Sequence, residues 1–257
     1  MNFFKSLYAG VFILSVCMAQ SSTDSIVKDA DGNVYHTIKL GNQVWTVENL
    51  RTTKFNDGSA IAHGFEAEWN YLGKEGNSKL TIVGSENKLI SPGYCYYNEM
   101  TNSDSIIKFG ALYNWYAVNT KKLAPKGWHV PNNAEWDTLR EYLIANGYNW
   151  EKTTELGRIK VAKSLAAKTD WKSDTGLGTI GNDLSKNNKT GFSALPGGFR
   201  YYHGSFNNIG HMGCFWSATA SDATHAYYRA LFSDEGCLGT MKDYKRSGFS
   251  VRLLRNN

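Results

Sequence analysis

The side chains able to do chemistry in this 257-residue chain are scattered rather than grouped in motifs. Its six histidines are His36, His63, His129, His203, His211 and His225, and none falls in a His-Glu-x-x-His run that would place two zinc ligands on one helix face. His203 and His211 bracket a loop and are the pair whose spacing would let both reach one ion, but solvated loop histidines are the better reading. His129, between Trp128 and Val130, reads as a structural histidine bonded to backbone. Ser217 and His225 would face each other across a hairpin, yet no acid is placed to orient the imidazole. Glu66 with Glu68, and Asp29 with Asp31, are carboxylates close in sequence. A glycosidase pair must also flank a cleft at a defined separation, and nothing in the sequence places them so. Asp29-Ala30-Asp31-Gly32 lacks the further oxygens and terminal bidentate acid of a calcium loop and reads as a turn. There is no Gly-x-Ser-x-Gly, no phosphate loop and no Cys-x-x-Cys. The sequence thus offers no catalytic residue, metal ligand or cofactor site.

The elements that would position any site read as follows. Ile26-Val27 starts a strand, Asp29 to Asn33 turns it, Val34 to Leu40 returns, Gly41-Asn42 turns again, and Gln43 to Glu48 completes a meander. Residues 51–93 are polar and irregular, and Gly93 to Tyr97 is a short aromatic strand. Gly110 to Val118 reads as a buried helix. Gly127 to Pro131 is strand-like and leads to a helix capped by Asn132 with Glu135 three residues on; Trp136, Leu139, Tyr142 and Leu143 recur along it and Gly147 ends it. Thr154 to Lys168 has the spacing of a third amphipathic helix. Asp170 to Lys189 is a loop. Gly191 to Arg200 is apolar and nearly uncharged, and reads as core; Gly197 and Gly198 after Pro196 predict a sharp turn or a close packing contact. Cys214 to Ala220 pairs with Ala226 to Ser233 across residues 221–224, followed by strands at Cys237 to Lys242 and Gly248 to Leu254. Strands, then helices, then strands, with few parallel crossovers, is an α+β order.

Composition narrows the function classes. Hydrophobic residues make up 42%, enough for a substantial core, and the formal charge of +5 comes from 28 basic and 23 acidic residues that are dispersed along the chain. Nucleic-acid binding needs a concentrated basic stripe, so it is not expected. Lys5 is the only charge before Asp24, Leu7 to Val16 is uncharged, and Cys17 and Ala19 stand at the −3 and −1 positions of a cut before Gln20. This predicts a signal peptide over residues 1–19 and a single exported domain over 20–257. The rival is lipid attachment at Cys17, which would place the protein on a membrane. No later stretch is suited to a transmembrane span. Without Cys17, the cysteines are Cys95, Cys214 and Cys237, an odd number that leaves at least one thiol unpaired within the chain. The two hairpin turns place Cys214 and Cys237 opposite about residue 232, on either side of its strand, too far apart for a disulfide.

Several of these segments resemble the Fibrobacter succinogenes major paralogous domain, found in exported bacterial proteins. The likeness is carried within about residues 27–255 by Asp31-Gly-Asn-Val-Tyr35, Gly41-Asn-Gln-Val-Trp45 with Glu48-Asn49-Leu50, and Cys95-Tyr-Tyr97. It continues through Gly110 to Ala117, Pro125 to Pro131 with Glu135-Trp136, Gly191 to Arg200, Phe215 to Thr219 and Gly248 to Arg252. The resemblance implies a C-type-lectin-like fold related to the formylglycine-generating enzymes, with mainly antiparallel strands and two or three helices, and no established activity. The family's usual cysteines are replaced here by Ala124 and Leu253, which implies two neighbouring apolar residues in the core. The reactive cysteine pair of the formylglycine enzymes and the Glu-Pro-Asn and Trp-Asn-Asp motifs of true C-type lectins are absent.

Trp45, Trp115, Trp128, Trp136 and Trp216 lie in the resembling motifs and are assigned to the core. Trp69, Trp150 and Trp171 lie outside them in or beside polar segments, and Tyr201 and Tyr202 adjoin Arg200. These five are the candidate ligand-binding residues, since exposed aromatic faces pack against sugar C–H groups or protein hot spots. The expectation is a non-enzymatic surface or adhesion module with a glycan or other cell-surface partner. The alternative is an enzyme on a formylglycine-generating-enzyme-like fold whose site the sequence does not reveal.

Overall fold

The computed structural model describes residues 26–64, 91–150 and 159–256. The expected leader with its expected processing at Gln20 or Cys17, and Glu66, Glu68 and Trp69, lie outside the described residues.

The predicted meander is present as β1 (Ile26–Lys28), β2 (Val34–Leu40) and β3 (Gln43–Thr46), all antiparallel. Its first turn is held by Asp29, whose Oδ1 accepts from the backbone N–H groups of Asp31 and Asn33 and whose Oδ2 accepts from Asn33 Nδ2 and the Tyr35 hydroxyl. The carboxylate serves the turn, as its sequence indicates, and among the described residues no three His, Cys, Asp or Glu side chains are grouped to hold a metal.

β4 (Ala62–His63), β5 (Gly93–Cys95) and β6 (Leu112–Tyr113) form a small sheet. Between β5 and β6 lies α1 (Ser103–Phe109), a largely exposed helix capped by Asn102, which no apolar period announces. Gly110 to Val118 is not one helix. Leu112 and Tyr113 pair with β5, and Asn114 then caps a short α2 (Trp115–Asn119) by accepting from Ala117 N. The helix spacing of the apolar residues misleads because the segment is buried whichever way it runs.

β7 (Trp128–His129) leads into α3 (Asn133–Ala145), where the capping box is complete: Asn132 accepts from Glu135 N, and Glu135 accepts from Asn132 N. Trp136, Leu139 and Leu143 are buried along one face. The helix expected over Thr154 to Lys168 is reduced, among its described residues, to one turn, α4 (Ala162–Leu165). There the backbone leaves helical pairing: Ala194 N donates to the Leu165 carbonyl and Ala167 N to the Ala194 carbonyl.

The second large sheet has the order β12-β11-β10-β8-β9, from β8 (Gly197–Arg200), β9 (Phe206–Ile209), β10 (Met212–Ala220), β11 (His225–Phe232) and β12 (Gly239–Tyr244). Gly198 has φ of +64°, and a Cβ there would stand 2.5 Å from the Asn207 carbonyl oxygen, so the close packing expected at this glycine is present. Cys214 pairs opposite Ala230, two residues from the expected register, and Cys237 precedes β12. Cys95, Cys214 and Cys237 are all free thiols. Burial pushes the Cys95 thiol up to about 12, so it stays protonated and inert.

The last segment stitches the layers together. Gly248 bridges Arg200, Phe249 bridges Tyr113, Ser250 bridges Phe215, and β13 (Leu254–Arg255) pairs with β3 and β7. Instead of one strand over Gly248 to Leu254, the chain visits all three sheets in turn. Arg252 is fully buried at the crossing, and Asn49 Oδ1 and the carbonyls of Thr46, Val47, Phe192 and Ser193 accept its five contacts. Burial pushes its guanidinium down to about 9. It also stacks on Phe192 and Phe215, at 4.8 and 5.6 Å. Ala124 and Leu253 are both buried in the same apolar cluster, with Trp115, Trp216 and Phe249. The architecture is α+β, mostly antiparallel with two parallel pairings, β4 with β5 and β8 with β10. No helix among the described residues is long and apolar enough to cross a membrane.

Candidate ligand-binding face

The candidate aromatics are sorted by the tertiary structure. Trp171 is only 4% exposed and donates its indole N–H to the Ala194 carbonyl at 3.3 Å, so it is withdrawn from any surface. The backbone N–H groups of its polar neighbours Lys172 and Asp174 donate to the carbonyls of Gly210 and Gly181, while the indole packs against Gly213. Trp150 is half-buried, with the ammonium groups of Lys163 and Lys186 at 5.6 and 5.8 Å from its ring and the backbone of Gly178 against its edge. Trp69 lies outside the described residues.

Tyr201 and Tyr202 belong to a larger assembly. The loop after β8 closes with Tyr201 N donating to the Ser205 carbonyl and Gly204 N to the Tyr201 carbonyl. The reciprocal backbone bonds between Arg200 and Gly248, at 2.9 and 2.8 Å, bring that loop beside the end of β12. Register in the neighbouring hairpin sets His225 opposite Tyr244. The result is a connected row of rings. Tyr201 stacks on His203 at 5.0 Å and 15°, His203 meets Tyr202 at 5.0 Å, Tyr202 meets Tyr244 at 4.4 Å, and Tyr244 meets His225 at 4.3 Å. The Arg246 guanidinium lies 5.0 Å from the Tyr202 ring and 5.3 Å from that of Tyr244. Tyr201 is fixed from below by Phe199, 4.6 Å away, so the row grows directly out of the core.

The far end of the row is held by Asp222. Its Oδ1 accepts from Thr224 N, His225 N and the Thr224 hydroxyl, with His225 Nδ1 at 3.1 Å. Those backbone bonds hold the carboxyl well below the usual carboxylate range, so it is ionised at neutral pH. Lys245 donates to the Asp222 and Ala223 carbonyls and lies 4.6 Å over Trp115. All the row members are half-buried except His203, which is exposed. The row is thus held by ring-to-ring packing while each of its residues stays part-exposed or exposed.

The sequence pointed to Tyr201 and Tyr202 but not to His203, His225, Tyr244 or Arg246. The available signal was the hairpin register, which puts Tyr244 beside His225; the Arg200–Gly248 contact that joins the two halves has no local signature.

The other candidate chemistries do not assemble. His203 and His211 diverge: His203 Nδ1 lies 3.3 Å from Ser205 Oγ, and His211 Nδ1 lies 2.6 Å from Ser233 Oγ. Asp234 stands 3.8 Å from His211 Nε2, but Ser233 is buried, so this serine–histidine–aspartate grouping offers no hydroxyl to a substrate. Ser217 is buried in the irregular stretch of β10 and accepts from Thr219 N, away from His225, because the register shifts between Trp216 and Ala220. His129 bonds to side chains rather than backbone: Nε2 is 2.8 Å from Glu135 and Nδ1 is 2.6 Å from Asn256. The hydrogen bond it donates to Glu135 raises the imidazole above its usual value. Glu135 is raised by burial, but the bonds from His129 and Asn132 outweigh this and hold it low. His129 edges an apolar hollow of about 240 Å³ between Val118, Leu123, Val130 and Ala218, with both ring nitrogens already engaged.

No curated protein and no solved structure matches the chain. The family model described as the Fibrobacter succinogenes major domain matches residues 38–255, which takes in the whole second large sheet and the aromatic row and, of the first sheet, everything from the end of β2 onward; the chain belongs to that family.

Proposed function

We propose that this protein is an exported, non-enzymatic binding module of C-type-lectin-like fold whose ligand, a polysaccharide, lies along the Tyr201–His203–Tyr202–Tyr244–His225 row. The observation that carries the reading is the row itself: connected rings, anchored by the core and left part-exposed, with a guanidinium above two of them. Aromatic faces take the C–H sides of sugar rings, and tyrosine hydroxyls, imidazoles and the guanidinium bond the hydroxyls around them. Anchoring keeps the entropy lost on binding small. Export follows from residues 1–19, with cleavage before Gln20 or lipid attachment at Cys17 decided by the N-terminal residue of the mature protein.

The test is a screen of soluble and insoluble glycans with the mature protein, repeated in EDTA, followed by Tyr201→Ala, Tyr202→Ala and Tyr244→Ala. Binding that survives EDTA and falls by about 1–3 kcal/mol in a folded tyrosine variant is expected, by analogy with bases stacked on aromatic side chains. Absence of glycan binding, or binding indifferent to all three changes, removes the polysaccharide from the reading.

A further inference from the structure

Away from the aromatic row, a cavity of about 200 Å³ opens between the Asp29 turn and the segment before β7, and Lys28, Lys54 and Lys126 all line it. We propose that this cavity is an oxyanion site, taking a phosphate, a sulfate or the carboxylate of an acidic sugar. The charge balance favours an anion. Lys54 shares Asp31 at 3.3 Å, whereas neither Lys28 nor Lys126 has a carboxylate partner among the described residues. The one acid in the wall, Asp29, is buried and accepts four hydrogen bonds from its own turn, so it presents no free oxygen to a cation. Lys28, Lys54 and Lys126 outnumber the two carboxylates beside the hollow, Asp29 and Asp31, by one positive charge, and a concave wall focuses that field.

The walls are fixed before any ligand arrives. Asn56 N donates to the Lys122 carbonyl and Asn56 Nδ2 to that of Ala124, while Lys122 pairs with Asp57 at 2.8 Å. On the far side Trp128 N bonds the Pro125 carbonyl and Asn256 N that of Gly127. Only the lysine side chains need to order on binding, which limits the entropy lost.

The site is tested by titrating the protein with sodium phosphate, sodium sulfate and sodium galacturonate, each against sodium chloride at equal ionic strength, with amide NMR shifts as the readout. Saturable shifts at Ala30, Asn56 and Lys126 with at least one oxyanion are expected, and the strongest of the three identifies the source. Lys28→Gln/Lys54→Gln/Lys126→Gln should weaken that binding at least tenfold, and the matching triple arginine variant should retain it. Lys126→Gln alone, expected to weaken it about threefold, serves if the triple variant does not fold. Shifts that chloride reproduces, or affinity unchanged in the glutamine variants, overturn the proposal. Tyr202→Ala should leave oxyanion binding intact, so failure here and failure of the aromatic row are separately visible.

Discussion

The aromatic row and the lobe around Trp150 both set cations against half-buried aromatic rings, and they differ in how deeply the cation is held. In the lobe, Lys163 is buried, and its ammonium donates to the carbonyls of Thr179, Ile180, Asn182 and Asp183 and to Asn187 Oδ1. The same ammonium lies 5.6 Å from the Trp150 ring, so the cation organises residues 179–187 beside a half-buried indole. On the row, Arg246 lies over Tyr202 and Tyr244 while the rings keep part of their surface in water. A cation over a ring is therefore no sign of a binding surface by itself. What sets Lys163 apart is that it is buried and bonded to the oxygens of one loop, whereas Arg246 is half-buried.

That contrast can be broken from the lobe first. Trp171→Ala removes a buried indole and leaves a cavity beside Ala194 and Gly213, and should destabilise by about 3–5 kcal/mol in urea denaturation. Glycan binding measured below the transition should be unchanged. Lys163→Met keeps the stem but removes the three N–H donors that these five oxygens share, and a loss of about 2–3 kcal/mol is expected. Faster hydrogen exchange confined to residues 179–187 would show that the ammonium holds that loop; an exchange pattern equal to wild type would show that it does not.

On the row, Tyr202→Ala should alter stability by about 1 kcal/mol or less, since what is lost is a half-buried ring's contacts with His203, Tyr244 and Arg246. The same change should cut ligand affinity. A large stability loss without a binding loss would make the row an ordinary piece of packing. The smallest effect is expected at His129, which belongs to neither region. Its raised pKa stabilises the fold fully below the ordinary value of 6.5, and that contribution disappears as pH rises through the raised value. The lowered pKa of Glu135 contributes above its ordinary 4.5 and is lost as pH falls through the lowered one. Both side chains are part-exposed, so the gain between these limits should be about 1 kcal/mol or less. His129→Gln should flatten the pH dependence of the melting temperature above about pH 6.5, and an unchanged profile would mean the pair has no energetic part in the fold.

Local rules made much of the frame legible. Asp-x-x-Gly-Asn and Gly-Asn turns between alternating strands define the meander, and Asn132 with Glu135 defines the start of α3, because turn and cap chemistry acts over a few residues. The hairpin of β10 and β11 was legible for the same reason, although its register was not. Gly110 to Val118 and Thr154 to Lys168 misled because burial on every side erases the period that distinguishes strand from helix.

The sequence by itself determined the α+β order, the family, the turns and caps, and a leader-like N-terminus. Only the tertiary structure decided which aromatics face water. Trp171 sits in a polar stretch yet is buried, while Tyr201 and Tyr202 follow an apolar, nearly uncharged segment and remain half in solvent. Exposure depends on what a distant segment lays over a side chain. Residues 200 and 248 meet through two backbone hydrogen bonds that any residue types except proline can make. That contact sets Tyr202 against Tyr244, and no side-chain pattern along the chain encodes it.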